Sequence, residues 1–234
     1  MKYKSVSSTA INFSSLAEPT CEDNPGLTSK SKSKDHDEVL KIISKLRPPK
    51  WDDIESRQYS LGKKTKRCTL FLDLDETLVY SRGPKVNNSV SNGAGLEVII
   101  RPYTEDLLAI ASTMYEIVIF SAGKKDYVSK VVDLIDPERK YIKNVLSHEH
   151  CIPLDNGHYV KDLRIIKDRR MDEMLIVDNS IISFAFQLAN GIPINSYYGE
   201  EDDQELGFLN TYLSELHSQE NIVKLNGENM GLLC

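Results

Sequence analysis

The chain has 234 residues, 40% hydrophobic and 27% charged, with a formal net charge of −6. That balance suits a globular protein of one or two domains and excludes a collagen-like or wholly disordered chain. The charge is uneven: residues 1–67 hold 14 Lys and Arg against 9 Asp and Glu, and the rest holds 15 against 26. A mildly basic front thus precedes an acidic body, which argues against a dedicated nucleic-acid binder. Cys21, Cys68, Cys151 and Cys234 are widely spaced and form no CxxC. Reduced thiols in a nuclear or cytoplasmic setting are expected rather than a disulfide framework. No apolar run reaches the roughly 18 residues of a membrane helix, so no membrane association is expected.

In chain order, residues 1–37 carry the run Ser-Lys-Ser-Lys-Ser-Lys at 29–34 and bury too little apolar surface to offset chain entropy. A disordered tail is expected there. Val39, Ile42, Ile43 and Leu46 then recur at helical spacing, with Asp35 or Asp37 as cap and Pro48-Pro49 as stop. Residues 38–66 are read as a docking helix and linker, with Trp51 as an anchor; a partner-binding helix is the sharper alternative. The tract Lys63-Lys-Thr-Lys-Arg67 reads as a solvated lead-in to the first strand or as a nuclear localisation patch. Residues 68–74 are almost continuously apolar, as a strand buried on both faces requires.

Residues 82–96 read as a polar insert, Leu96–Ile100 as a strand, and Thr104 as the cap of a helix through Met114. Residues 115–120 are a second apolar strand, ending at Ser121. A helix over about 124–135 carries Tyr127, Val131, Val132 and Leu134. Residues 174–177 are a third strand, ending at Asp178-Asn179, and 193–198 a further one. Asp202 or Asp203 caps a final helix carrying Leu206, Leu209 and Leu213. Alternating strands and helices imply a parallel sheet sandwiched by helices, in which ligands bind beyond the carboxyl ends of the strands. Asp73 with Asp75, Ser121, and Asp178 with Asn179 would then converge on one edge.

Asp73 and Asp75 lie two residues apart where an apolar strand gives way to a loop. Carboxylates so close repel unless a cation lies between them or one is protonated. With a third acid and an amide, the set suits Mg²⁺, which favours oxygen ligands. A carboxylate beside Mg²⁺ is a competent nucleophile toward phosphorus. Paired acids at a strand end also occur as plain turns.

Asp-x-Asp-x-Thr after an apolar strand resembles the first motif of the haloacid dehalogenase superfamily. The string Phe71-Leu-Asp-Leu-Asp-Glu-Thr-Leu-Val79 resembles its subfamily of phosphatases acting on the C-terminal domain of RNA polymerase II. Ile119-Phe-Ser-Ala122, Tyr159-Val-Lys-Asp-Leu163 and Leu175-Ile-Val-Asp-Asn-Ser180 resemble the later motifs, in order. The resemblance covers about 67–217, with 218–234 left as a C-terminal extension. It implies a Rossmann-like α/β fold and a Mg²⁺-dependent phosphoserine/threonine protein phosphatase using an aspartyl-phosphate. By the same resemblance, Asp73 is the nucleophile and Asp75 the acid and base. Mg²⁺ is held by Asp73, the Asp75 carbonyl and Asn179, with Asp178 holding a metal-bound water or orienting Lys161. Lys161 and Ser121 grip the phosphoryl group, and Thr77 braces the loop. The expected partner is a phosphorylated protein, such as the polymerase tail, met by a monomer. A non-catalytic binding module of the same fold is the alternative.

Three departures bear on the substrate. Ser121 stands where relatives usually have Thr, retaining the hydroxyl. His148 stands where relatives often have an arginine that helps hold substrate, so that contribution would be reduced or pH-dependent. The insert of about residues 82–98 offers only Val86, Val90, Leu96, Val98 and nearby residues for an apolar pocket, and is too short for a large cap domain. An open site, suited to a phosphorylated loop or tail, is expected. In an extended segment His148 and His150 would share one face and Cys151 the other, so zinc is not expected. Arg101-Pro102 is read as structural, and the acidic run 200–203 as a helix start.

Overall fold

The computed structural model describes residue 41, residues 43–82, 97–155 and 157–231, and the backbone alone of 85–86 and 89–90. The chain forms two compact units, 1–45 and 46–234. In the first, Lys41 and Ile43 are helical and the Ser44 hydroxyl donates to the Lys41 carbonyl. The expected tail and most of the expected docking helix lie outside the described residues.

The second unit opens with helix α1 (Trp51–Glu55), followed by β1 (Cys68–Leu72), β2 (Val79–Arg82), β3 (Lys85–Val86), β4 (Ser89–Val90) and β5 (Glu97–Ile100). Next come α2 (Thr104–Met114), β6 (Tyr115–Phe120), α3 (Lys125–Ile135) and β7 (Ile142–Leu146). Two short pairing strands, β8 (Ile152–Pro153) and β9 (Tyr159–Val160), precede β10 (Met174–Asp178), β11 (Gly191–Pro193), α4 (Glu205–His217) and α5 (Ile222–Asn229). The central sheet has five parallel strands in the order β11-β10-β1-β6-β7. This is the Rossmann-like α/β fold expected. β1 is central, and all five of its residues are buried because helices cover both faces. Among the described residues no helix is long and apolar enough to cross a membrane.

The helices bury one stripe each. In α3 that stripe is Val128, Val131, Val132 and Ile135; Leu134 faces solvent, against expectation. In α4 it is Leu206, Leu209, Leu213 and Leu216. On one face of the sheet Phe71, Val118, Phe120 and Ile176 pack with Ile54, Leu163 and Phe184. Gly191 is required in β11, because a Cβ there would lie 2.1 Å from the Phe184 ring.

Several local expectations are corrected. Trp51 is 61% exposed, and Ile54 is the buried residue of α1, so Trp51 anchors nothing in this unit. The fourth expected strand is Gly191–Pro193 rather than 193–198. The N-cap of α2 is Tyr103, in the left-handed region at φ 66°, while the Thr104 hydroxyl donates to the Arg101 carbonyl. The N-cap of α4 is Gln204; Asp203 accepts from the Glu205 amide but chiefly faces Arg101. α4 is not the last helix, since α5 packs in the stretch expected as an extension. His148–His150 form a 3-10 turn rather than an extended segment. Lys64 pairs with Glu173, Lys66 donates to the Thr113 carbonyl, and Arg67 donates to the carbonyls of His217, Gln219 and Glu220. Most of the basic tract is therefore held by the fold, at the amino side of the sheet and the carboxyl end of α4.

Behind the first motif, β2 and β5 form an antiparallel ribbon enclosing the small β3–β4 pair. Val98 is half-buried on β5; the side chains of Val86, Val90 and Leu96 lie outside the described residues.

Candidate active site

Parallel strands end together, so β1, β6 and β10 deliver Asp73, Ser121 and Asp178 to one edge. Beyond β1 the chain turns tightly. The amides of Thr77, Leu78 and Val79 all donate to the Leu74 carbonyl, and Glu76 takes φ 61°. This turn places Asp75 and Thr77 beside Asp73.

Lys161, itself 3% exposed, ties the edge together. Its Nζ lies 2.5 Å from Asp73 Oδ1 and 2.6 Å from Asp178 Oδ2. Burial alone would lower the ammonium pKa, but the Asp178 and Asp73 charges overcome it and hold it above its ordinary value. Asp178 is pushed upward by burial despite Lys161, and its Oδ1 accepts from the Ser180 amide. Asp73 Oδ2 accepts from the Thr77 hydroxyl at 3.1 Å. Asn179 donates through Nδ2 to Glu76 and Ser196, leaving Oδ1 3.5 Å from Thr77 Oγ1.

Asp75 accepts a short hydrogen bond from the Tyr127 hydroxyl, which also lies 2.6 Å from Ser81 Oγ. Burial, reinforced by the Asp73 charge and offset in part by that hydrogen bond, pushes the Asp75 carboxyl up to about 6. The structure thus brings Asp73, Asp75, Thr77, Lys161, Asp178 and Asn179 together. Ser121 is buried at the end of β6, and its Oγ accepts from the Gly123 amide at 2.9 Å. Its carbonyl receives Cys151 Sγ at 3.7 Å; burial raises that thiol to about 12, so it stays protonated. His148 sits farther out, with Nδ1 3.1 Å from the Ala122 carbonyl and its ring 4.7 Å from that of Tyr159. His150 instead packs on Tyr59.

Among the described residues, no group of three or more His, Cys, Asp or Glu side chains is arranged to hold a metal ion. His148 and His150 turn to different neighbours, Tyr159 and Tyr59. The donors at the sheet edge are of mixed kind: the Asp73 carboxylate and the Asn179 carbonyl oxygen turned away from Glu76. Three carboxylates gather there with one lysine, so the edge is short of positive charge. Hard oxygen donors with excess negative charge fit a divalent ion such as Mg²⁺.

Sequence reasoning missed Tyr127, Glu76 and Ser196. Tyr127 stands one turn before Val131 and was counted with the apolar face of its helix. Nothing local signals that its hydroxyl reaches a carboxylate 52 positions earlier.

An α/β domain with an Asp-x-Asp turn beyond the central strand, and a lysine bridging the first aspartate to a third acid, defines the haloacid dehalogenase-like class. The family model for NLI interacting factor-like phosphatases matches residues 68–223, and the chain belongs to that family. It is 38% identical over 190 residues to CTD small phosphatase-like protein 3 of Caenorhabditis elegans, covering 76% of this chain and 65% of that protein. Identity is 37% over 164 residues to CTD small phosphatase-like protein 2 of Dictyostelium discoideum, covering 67% and 28%. To the human CTD small phosphatase-like protein it is 30% over 219 residues, covering 90% and 75%. The chain thus spans under two thirds of the length of the first two. The fold resembles the structure of Fcp1, an essential RNA polymerase II CTD phosphatase, with a TM-score of 0.54, 18% identity, and 72% and 67% of the two chains covered.

Proposed function

We propose that the protein is a Mg²⁺-dependent phosphatase of phosphoserine or phosphothreonine in proteins, working through a phosphoryl group carried on Asp73. The observation that carries this reading is the pairing of two unlike aspartates. Asp73 is bridged by Lys161 and Thr77 in an orientation fixed for attack, while Asp75 is raised toward neutrality on Tyr127. Two carboxylates in unlike surroundings, one held by a lysine and a hydroxyl and the other pushed up by burial, are what nucleophile and acid require.

In this reading an Asp73 oxygen attacks phosphorus in line, and the bond to the seryl or threonyl oxygen breaks. Asp75 gives that oxygen its proton. Asp75, now ionised, takes a proton from water as the water oxygen attacks the phosphorus of the aspartyl-phosphate; inorganic phosphate leaves and Asp73 is restored. Lys161 and the Ser121 hydroxyl hold the phosphoryl oxygens. Mg²⁺, held by Asp73, Asn179 and the Asp75 carbonyl, would neutralise phosphoryl charge. Asp178 fixes Lys161, and His148 meets the substrate chain outside the phosphate pocket. The relatives' names suggest a polymerase C-terminal domain as one substrate, and any exposed phosphorylated tail has the same chemistry.

The test is hydrolysis of p-nitrophenyl phosphate with and without Mg²⁺, then of a phosphopeptide panel. Turnover that needs Mg²⁺ and stops with EDTA or beryllium fluoride is expected. No turnover under any of these conditions would overturn the reading.

A further inference from the structure

We infer that Glu76 and Ser196 are positioning residues that set which end of the Asn179 side chain faces Asp73. This rests on the reading of Asn179 as a ligand of the divalent cation. A terminal amide torsion is broad and roughly two-fold, so an unrestrained asparagine presents its oxygen or its NH₂ at little cost. Only the oxygen can meet a cation. An ionised carboxylate accepts hydrogen bonds and donates none, so a Glu76 carboxylate can bind the NH₂ end alone. Asn179 Nδ2 has two hydrogens, and both find acceptors: Glu76 Oε2 at 3.1 Å and Ser196 Oγ at 2.9 Å. Oδ1 is thereby left on the side of Thr77, whose hydroxyl also lies 3.1 Å from Asp73 Oδ2.

The two acceptors are themselves held. Glu76 sits in the left-handed region at φ 61°, a conformation that persists in a non-glycine residue only where the surroundings over-determine it. Its amide donates to the Val79 carbonyl at 2.7 Å, and its carbonyl accepts from the Tyr197 amide at 2.8 Å. Tyr197 directly follows Ser196, so one hydrogen bond registers the two acceptors against each other. Arg101, fully buried, grips both segments. It donates to the Thr77 carbonyl at 3.0 Å and twice to Asp203 at 2.8 Å, and its guanidinium lies 5.3 Å from the Tyr197 ring centre. The family motif marks Asn179. The orientation of its amide comes from residues 103 positions before it and 17 after it.

The experiment uses Mn²⁺ as the probe, titrated into the full chain and followed by the electron paramagnetic resonance signal of the free ion. This needs no turnover. Thermal melting of each variant verifies folding. Outer partners of metal ligands typically contribute about 10- to 100-fold in affinity. The double variant Glu76→Ala/Ser196→Ala is expected to bind Mn²⁺ weaker by about that factor, and Ser196→Ala alone, which removes one surface-near hydroxyl, by several-fold. Glu76→Gln keeps an acceptor oxygen but can also donate, so it relaxes the discrimination and is expected to bind several-fold weaker than the wild type yet tighter than Glu76→Ala. Unchanged affinity in the double and Ser196→Ala variants would overturn the inference. So would a Glu76→Gln variant as weak as Glu76→Ala, since charge rather than amide orientation would then be at work. Failure of the wild type itself to bind Mn²⁺ would overturn the metal reading, and this inference with it.

Discussion

Two buried charge clusters occupy opposite ends of β1 and β6, and they are built on opposite plans. At the amino end Glu116 meets Arg169 through two hydrogen bonds, at 2.7 and 3.1 Å, and also accepts from the Thr65 amide and the hydroxyls of Thr65 and Thr69. Arg169 also meets the partly exposed Asp168 at 3.4 Å, and both Glu116 carboxylate oxygens are well supplied with donors. Burial alone would raise the Glu116 carboxyl, but Arg169 and the Thr65 donors hold it below its ordinary value. At the carboxyl end Asp73 and Asp178 share Lys161, a third acid, Asp75, is held by Tyr127 instead, and burial drives Asp75 and Asp178 upward. The first cluster is electrostatically complete and pins the 60–67 strap to the sheet. The second is incomplete without further positive charge. Burial of charge is common to both; the clusters differ in that donors hold Glu116 below its ordinary value while Asp75 and Asp178 are driven up.

That contrast can be broken at either end. The largest effect is expected from Asp73→Asn. The substitution keeps size and shape at the incomplete end, so the melting temperature should hold or rise while turnover of p-nitrophenyl phosphate falls by at least about 10⁴-fold. An active Asp73→Asn variant would remove the nucleophile from this end of the sheet. Arg169→Ala should do the reverse: about 3–5 kcal/mol of stability lost in urea unfolding, because Glu116 is left buried and unpaired, with little change in turnover per folded molecule. The pH dependence follows from the lowered Glu116 carboxyl. Its contribution is fully present above the ordinary glutamate range and is lost as pH falls through the depressed folded value. The stability gap between wild type and Glu116→Gln should therefore shrink on acidification below about pH 4.5; a gap that widened there would contradict the assignment. Tyr127→Phe should have the smallest effect. Losing one hydrogen bond to Asp75 should lower kcat by about 10-fold, with KM nearly unchanged, in steady-state kinetics. A change confined to KM would move Tyr127 from acid positioning to substrate contact.

Much of the incomplete end was legible in the sequence and almost none of the complete one. Strands β1, β6 and β10 are mostly apolar runs, broken only by Thr69 in β1, Glu116 in β6 and the terminal Asp178 of β10, and a pair such as Asp178-Asn179 at such a strand's end points to a polar edge. The edge strands were harder. In β7, Lys143 is exposed and Asn144 and Val145 half-buried, so its apolar pattern is broken. β11 holds three residues and ends at Pro193, too little for a local signal. Charge pairing has no local trace at all. Glu116 and Arg169 are 53 positions apart, and Arg101 and Asp203 are 102 apart. His148 was given the wrong backbone because the segment 148–151 was read as extended, whereas main-chain bonds from His150 to Ser147 and from Cys151 to His148 close a 3-10 turn without a local signature.

The far edge of the sheet is guarded by a side chain rather than by a strand. β11 closes the sheet, and an edge strand offers its carbonyls to any passing chain. Here Asn226 of α5, fully buried, donates to the Ala189 and Gly191 carbonyls, while Tyr212 of α4 donates to its Oδ1. A side chain thus occupies acceptors that a foreign strand would otherwise take. Cleavage between Gln219 and Ile222 that released α5 would strip Asn226 from those carbonyls and uncover the apolar seat of Ile222 and Met230, leaving β11 a bare template for another strand.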